Sequence, residues 1–239
     1  MNSDFPMRIN KYLAQQGYAT RRSADTLIEK KRVFVNGKPA TLGQKVEKTD
    51  LIEIKDFDTT HFRYILYNKP RGIITHSPAS HETDILAQLK KDHKITGVFP
   101  VGRLDKDSEG LILLTNDGRI TDRILNPDQE HEREYEVTVD KKVSKFLLNN
   151  LTRGVNIEGY VTKPAKAEAN TKNDRIFTIT LTEGKKHQVR RMCAALGFQV
   201  KALKRTRMLD LTLKNLKSGA FYELKPKEFA KLQETLGLR

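Results

Sequence analysis

Leu111-Ile112-Leu113-Leu114 is a run of four aliphatic residues without a polar break, closed soon after by the turn pair Asp117-Gly118. A run this short, bounded in this way, reads as an interior strand rather than a helix. It puts a sheet at the centre of the fold. The acidic stretch before it, Asp105-Lys106-Asp107-Ser108-Glu109, becomes a loop anchored at the sheet edge. A reactive side chain gains precision there without losing access to a partner.

The remaining pattern alternates short strands and short helices. Tyr64-Ile65-Leu66-Tyr67 is a strand ending in Asn68-Lys69-Pro70-Arg71-Gly72, whose Pro and Gly demand a turn. Glu132 to Val139 alternates around Tyr135, Val137 and Val139, as a half-buried strand does, and Arg175 to Leu181 does the same. Helical periodicity marks Val143 to Leu151 and Glu228 to Leu236, the latter opened by Pro226. Short hairpin-like connections predict an α+β fold with a mostly antiparallel mixed sheet flanked by helices. Residues 7–56 form a smaller unit: a helix over Arg8 to Gln16 closed by Gly17, a second helix capped by Thr20, a strand Val33-Phe34-Val35 turning at Asn36-Gly37, and a closing strand at Leu51 to Ile54. Residues 57–61 read as a linker, and 62–239 as the larger domain.

The charge is concentrated. Lys and Arg number 44 against 30 Asp and Glu, a net of +14 in 239 residues. Arg8 to Lys38 and Gly184 to Arg207 hold all of that excess between them, and the rest of the chain is balanced. Two basic patches on a neutral scaffold fit a polyanion partner. Arg21 and Arg22 oppose a helix dipole in its first turn; phosphate binding accounts for them better than an Arg21–Asp25 pair. No run approaches the roughly 18 apolar residues of a spanning helix, and no signal-peptide core is present. The single Cys193 and the six scattered histidines offer no metal-ligand spacing, and no phosphate-binding glycine loop occurs. The expectation is a cytoplasmic protein with no membrane segment, cofactor or metal.

Arg190 and Arg191 occupy adjacent positions about 100° apart on a helix. One is expected inward and one outward, and an inward arginine needs a carboxylate. Asp105 is the candidate, held ionised by that arginine.

These motifs resemble two known families. Arg8-Ile9-Asn10-Lys11-Tyr12-Leu13, Arg21-Arg22-Ser23-Ala24-Asp25 and Val33 to Gly37 are similar to an S4-type RNA-binding domain; Lys30-Lys31 stands where that family usually turns on glycine, a departure expected to tighten the loop slightly or reroute it. Gly102-Arg103-Leu104-Asp105 with Ser108 to Asn116 resembles the catalytic loop of the RsuA-type ribosomal RNA pseudouridine synthases. Asn68 to Gly72, Arg133-Glu134-Tyr135, Glu183 to Met192 and Leu203 to Arg207 follow in the family's order. Asp107-Ser108, His131 to Lys141 and Arg205 to Met208 are most like the F-type large-subunit enzymes. Arg207-Met208-Leu209-Asp210 departs from the usual R-I-G-P, which leaves the target uridine open.

The resemblance implies isomerisation of a uridine in ribosomal RNA, 23S favoured and transfer RNA open as a second substrate, by a monomer. The chemistry needs one carboxylate, as nucleophile at C1′ or at the uracil ring, or as base. Asp105 takes that role; Asp107 and Glu109 are loop structure. Arg190 orients Asp105, Tyr135 stacks on the uracil, and Arg103 fills the gap left by the flipped base or holds its phosphate. Arg8, Lys11, Arg21, Arg22, Lys185, Lys186, Arg191, Lys204, Arg205 and Arg207 would grip flanking phosphates. Two other classes compete: a non-catalytic S4-bearing assembly factor, which leaves the Asp105 motifs unexplained, and a glycoside hydrolase, which leaves the basic patches and the absence of Trp unexplained.

Overall fold

The computed structural model describes residues 5–16, 18–19, 21–55, 62–76 and 82–238. The linker at 57–61, the closing Gly17 and the cap at Thr20 lie outside the described residues.

The run Leu111 to Leu114 lies in the strand Glu109–Thr115, and its four side chains are fully buried. Side chains alternate across a strand, so Leu111 and Leu113 enter one core and Ile112 and Leu114 another. The first core holds Ile120 and Ile124 of the helix Arg119–Leu125 and Leu232 of the helix Pro226–Thr235. The second holds Ile85 and Leu89 of the helix Ile85–His93. Each such aliphatic contributes about 1.5–3 kcal/mol by leaving water. Layers on both faces leave only the strand ends open to solvent, and the acidic loop emerges at one of them.

Around that strand runs a nine-stranded sheet in the order Lys166–Ala169, Ile176–Leu181, Arg133–Val139, Val200–Met208, Glu109–Thr115, Tyr64–Lys69, Phe221–Glu223, with Leu211–Thr212 and Phe99–Val101 pairing off that path. Every pairing is antiparallel except one: Val200–Met208 runs parallel to Glu109–Thr115, with Lys204 opposite Glu109 and Arg205 opposite Gly110. That parallel pair brings the second basic segment beside the acidic loop. Gly110, at φ 111°, is the only residue type that fits there, because a Cβ would fall 2.3 Å from the Arg205 carbonyl oxygen.

The helices deviate little from their periodicity. The expected helix at Val143 begins at Lys145, because Ser144 accepts a hydrogen bond from the Leu147 amide (3.1 Å) and caps it. The strand from Tyr64 continues to Lys69, burying Asn68 and Lys69.

The smaller unit has helices Ile9–Gln15 and Arg21–Glu29 over strands Val33–Val35 and Ile52–Ile54. At Lys30-Lys31, Lys31 takes φ 54°, the conformation a glycine would supply without strain. That costs about 1–2 kcal/mol. Asp25 accepts a hydrogen bond from Asn10 (2.9 Å) and not from Arg21, which stays exposed with Arg8. The unit abuts the larger domain at Gly118, where a Cβ would lie 2.8 Å from the Ala14 carbonyl oxygen.

Candidate active site

Residues Gly102 to Ser108 form no helix or strand, yet their backbone is pinned at every carbonyl from Arg103 to Asp107. Arg103 O accepts from Arg205 Nη1 (3.5 Å), Leu104 O from Thr75 Oγ1 (2.6 Å) and Asp105 O from the Ser108 amide (3.0 Å). Lys106 O accepts from the Gly72 amide (2.8 Å) and Lys69 Nζ (3.5 Å), and Asp107 O from Arg190 Nη2 (3.0 Å). Three separated segments, Lys69 to Thr75, Arg190 and Arg205, therefore hold one loop. Asp105 projects from it, its side chain 35% exposed.

Asp105 opens onto a cavity of about 600 Å³ lined among others by Arg103, Arg133, Tyr135, Tyr160, Glu183 and Lys185. The wall is strongly cationic. Lys69, beneath it, is fully buried and donates to the Pro70 (2.8 Å) and Ile73 (2.6 Å) carbonyls as well. Burial pulls its ammonium down to about 8, while Asp105, Asp107 and Glu109 act to hold it up. Burial, reinforced by neighbouring Arg205, also lowers the pKa of Arg133.

The two carboxylates on the cavity wall are placed very differently. Glu183 is occupied: Oε1 accepts from the Lys163 amide (3.1 Å) and Gln188 Nε2 (2.6 Å), and Oε2 from the Tyr160 hydroxyl (2.5 Å). Asp105 meets the His187 ring, whose Nε2 lies 3.5 Å from Oδ1. Such a carboxylate is available for chemistry, and Asp107 and Glu109 do not line the cavity.

The expected Asp105–Arg190 pair does not form. Arg190 spends its guanidinium on the Val200 and Asp107 carbonyls, so it grips the loop and not the carboxylate. Tyr135 is half-buried on the cavity wall, and Arg103 is exposed beside Asp105, both where the sequence motifs place them. The phosphate-gripping set divides. Lys185 and Lys186 are exposed and Lys204 half-buried, and nothing is described of the Arg22 side chain. Lys11 is half-buried. Three others are committed to partners within the protein. Arg205 is 2% exposed, donating to the Leu111 carbonyl (2.6 Å) and carrying a buried Nη2 without a partner. Arg207 pairs with Glu132 (2.9 Å) and Glu134 (3.4 Å), and Arg191 with Glu158 (2.8 Å). Alternation along the strand Val200–Met208 sends Arg205 inward, but a cationic strand residue is ordinarily surface, so composition misleads here.

Sequence reasoning passed over His187 and Arg133 as cavity residues. Their motif positions were the signal, but their contact with the cavity depends on segments far apart in the chain. Among the described residues no cluster suits a metal ion, and no helix is long and apolar enough to cross a membrane.

Residues 63–195 match the RNA pseudouridylate synthase family, and residues 7–52 match the S4 domain. The chain is 38% identical to the dual-specificity RNA pseudouridine synthase RluF of Escherichia coli strain K12, over 97% of this chain and 80% of the relative. It is 37% identical to ribosomal large subunit pseudouridine synthase B of Bacillus subtilis strain 168, over 95% of each chain. A crystal structure of a pseudouridylate synthase superposes with a TM-score of 0.70 at 30% identity, covering 95% of this chain and 99% of that one.

Proposed function

The chain belongs to the RNA pseudouridylate synthase family, and from that premise we propose that Asp105 is the carboxylate with which it isomerises uridine. The protein is an RNA pseudouridine synthase that acts on ribosomal RNA, and the reading as a non-catalytic S4-bearing factor falls away. The reaction breaks the N1–C1′ bond of a uridine, turns the base and joins C5 to C1′. The proton lost from C5 is balanced by one gained at N1, so no oxidant, reductant or added group is needed.

One observation carries the assignment: of the two carboxylates lining the cavity, Glu183 has both oxygens engaged by its neighbours and Asp105 does not. The pinned loop supports the role, since effective attack at a ribose or a ring carbon needs an oxygen held within a narrow geometry. Tyr135 is the stacking wall for uracil, and Arg103 the residue that takes the space or the phosphate of the flipped nucleotide. Arg190 acts through the loop, as a positioning residue. The exposed Arg8, Arg21, Lys185 and Lys186 supply phosphate contacts, with Lys11, Arg22 and Lys204 as further members of that set.

The substrate in this reading is large-subunit ribosomal RNA, 23S in a bacterium, with transfer RNA as a second substrate, and the enzyme works as a cytoplasmic monomer. Tritium release from RNA labelled at uridine C5 tests the core of it. Wild type is expected to release tritium from ribosomal RNA and Asp105→Asn to release none; equal release by both overturns the assignment of Asp105. Mapping pseudouridines in ribosomal and transfer RNA from a deletion strain tests the choice of substrate.

A further inference from the structure

We propose that Tyr160 is a stacking platform for a nucleobase flanking the target uridine, an inference that rests on the uridine isomerase reading. Tyr160 lies on a two-stranded hairpin, Asn156–Ile157 paired with Tyr160–Val161, turning through Glu158 and Gly159 at φ 55° and 86°. The primed turn matches the twist of the strands. This hairpin is bolted down from outside. Arg191 Nη2 donates to the Ile157 carbonyl (3.2 Å) and to Glu158 Oε2 (2.8 Å), with Nε on Oε1 (3.3 Å). Tyr160 itself is tied through its hydroxyl to Glu183 Oε2 at 2.5 Å, and Lys185 Nζ sits 4.5 Å from the ring centroid. The ring is thus fixed in position and orientation, yet 37% of the residue remains exposed, on the rim of the cavity that holds Asp105.

A fixed, exposed aromatic ring suits a base better than it suits solvent. Little side-chain freedom is left to lose on binding. Flipping a uridine out of its stack strips its neighbours of one stacking partner, and an aromatic face at the cavity rim replaces it without regard to base identity. Lys185 and Lys186 stand around the same rim, where the phosphates of a flanking nucleotide would pass. The residue serves binding of the RNA and not the bond-making step.

The competing account is that Tyr160 only ties the hairpin to Glu183. Two variants separate the accounts, since Tyr160→Phe keeps the ring and loses the hydroxyl, and Tyr160→Leu loses the ring. On a ribosomal RNA fragment assayed by tritium release, Tyr160→Leu is expected to raise KM about tenfold, the scale of one lost base stack, with a smaller change in kcat. Tyr160→Phe is expected to recover most of the wild-type KM. In an Asp105→Asn background, 2-aminopurine placed beside the target uridine is expected to be quenched on binding, and Tyr160→Leu to abolish that quenching. The proposal is overturned if Tyr160→Leu keeps both the wild-type KM and the quenching, or if Tyr160→Phe is as impaired as Tyr160→Leu. A wild-type enzyme that binds the RNA but releases no tritium overturns the isomerase reading itself, a result distinct from either of these.

Discussion

His187 Nε2 stands 3.5 Å from Asp105 Oδ1, and His187 holds that place from a left-handed backbone, φ 52° and ψ 29°, at the N-cap of the helix Gln188–Ala195. A non-glycine residue kept in this region costs about 1–3 kcal/mol and persists where its surroundings over-determine it. The turn enforcing it is visible: the Gln188 amide donates to the Lys185 carbonyl (3.2 Å), and the Lys185 amide donates back to Gln188 Oε1 (2.8 Å). The strain therefore sits on the residue that faces the Asp105 carboxylate.

Two substitutions separate backbone from side chain at this position. Asparagine tolerates the left-handed region, so His187→Asn is expected to fold with a stability within about 0.5 kcal/mol of wild type. It should lower kcat by up to about fivefold, the scale of one lost polar contact. His187→Val, β-branched at the same φ, is expected to cost about 1–2 kcal/mol of stability. Urea denaturation and tritium release measure the two effects independently.

Gly110 permits the contact that brings the basic strand to the loop carrying Asp105. A methyl group in Gly110→Ala would meet the Arg205 carbonyl oxygen at 2.3 Å and the Arg205 amide nitrogen at 2.6 Å. Backbone must shift to relieve this, and the positive φ adds its own strain. A loss of roughly 3 kcal/mol is expected from the two together, read as a drop in thermal midpoint, with activity falling because the loop that starts at Gly102 is re-aimed.

Lys69 links stability to alkaline pH. Its folded pKa of about 8 lies below its ordinary 10.5, so the unfolded chain holds the proton more tightly. The penalty for burying the ammonium is present in full below about 8 and is relieved as pH rises from there towards 10.5. Lys69→Met has no such proton to lose. Wild type is expected to gain on the variant by roughly 1–3 kcal/mol between neutral and strongly alkaline pH. Denaturant midpoints of both proteins across that range check it, and a constant difference refutes it.

The division of the cations is measurable by salt titration. Arg21 and Lys186 are exposed, whereas Arg207 is spent on Glu132 and Glu134. Arg21→Ala and Lys186→Ala are each expected to reduce the slope of log K against log salt by about one. Arg207→Ala should leave that slope in place and lower stability instead, since Glu132 keeps only Lys166 and Glu134 only Thr206 as side-chain partners.

What the sequence determined by itself was whatever depends on neighbours in the chain. Alternation and apolar runs located the strands from Tyr64, Glu109, Arg133 and Ile176, and the family resemblance singled out Asp105, Tyr135 and Arg103, which line one cavity. Such signals are local because a strand's period is set by the backbone. Tertiary structure alone decided which partner each charged group took. Asp107 and Arg190 are 83 residues apart, and whether the arginine meets a carboxylate or a carbonyl depends on how two loops approach to within 3.0 Å. The same holds for Arg205, Arg207 and Arg191, whose cationic heads read as free for phosphate in the sequence and are taken by partners within the chain. A charge advertises a partner, but its reach is only a few ångströms, and the packing of distant segments determines what lies within that reach.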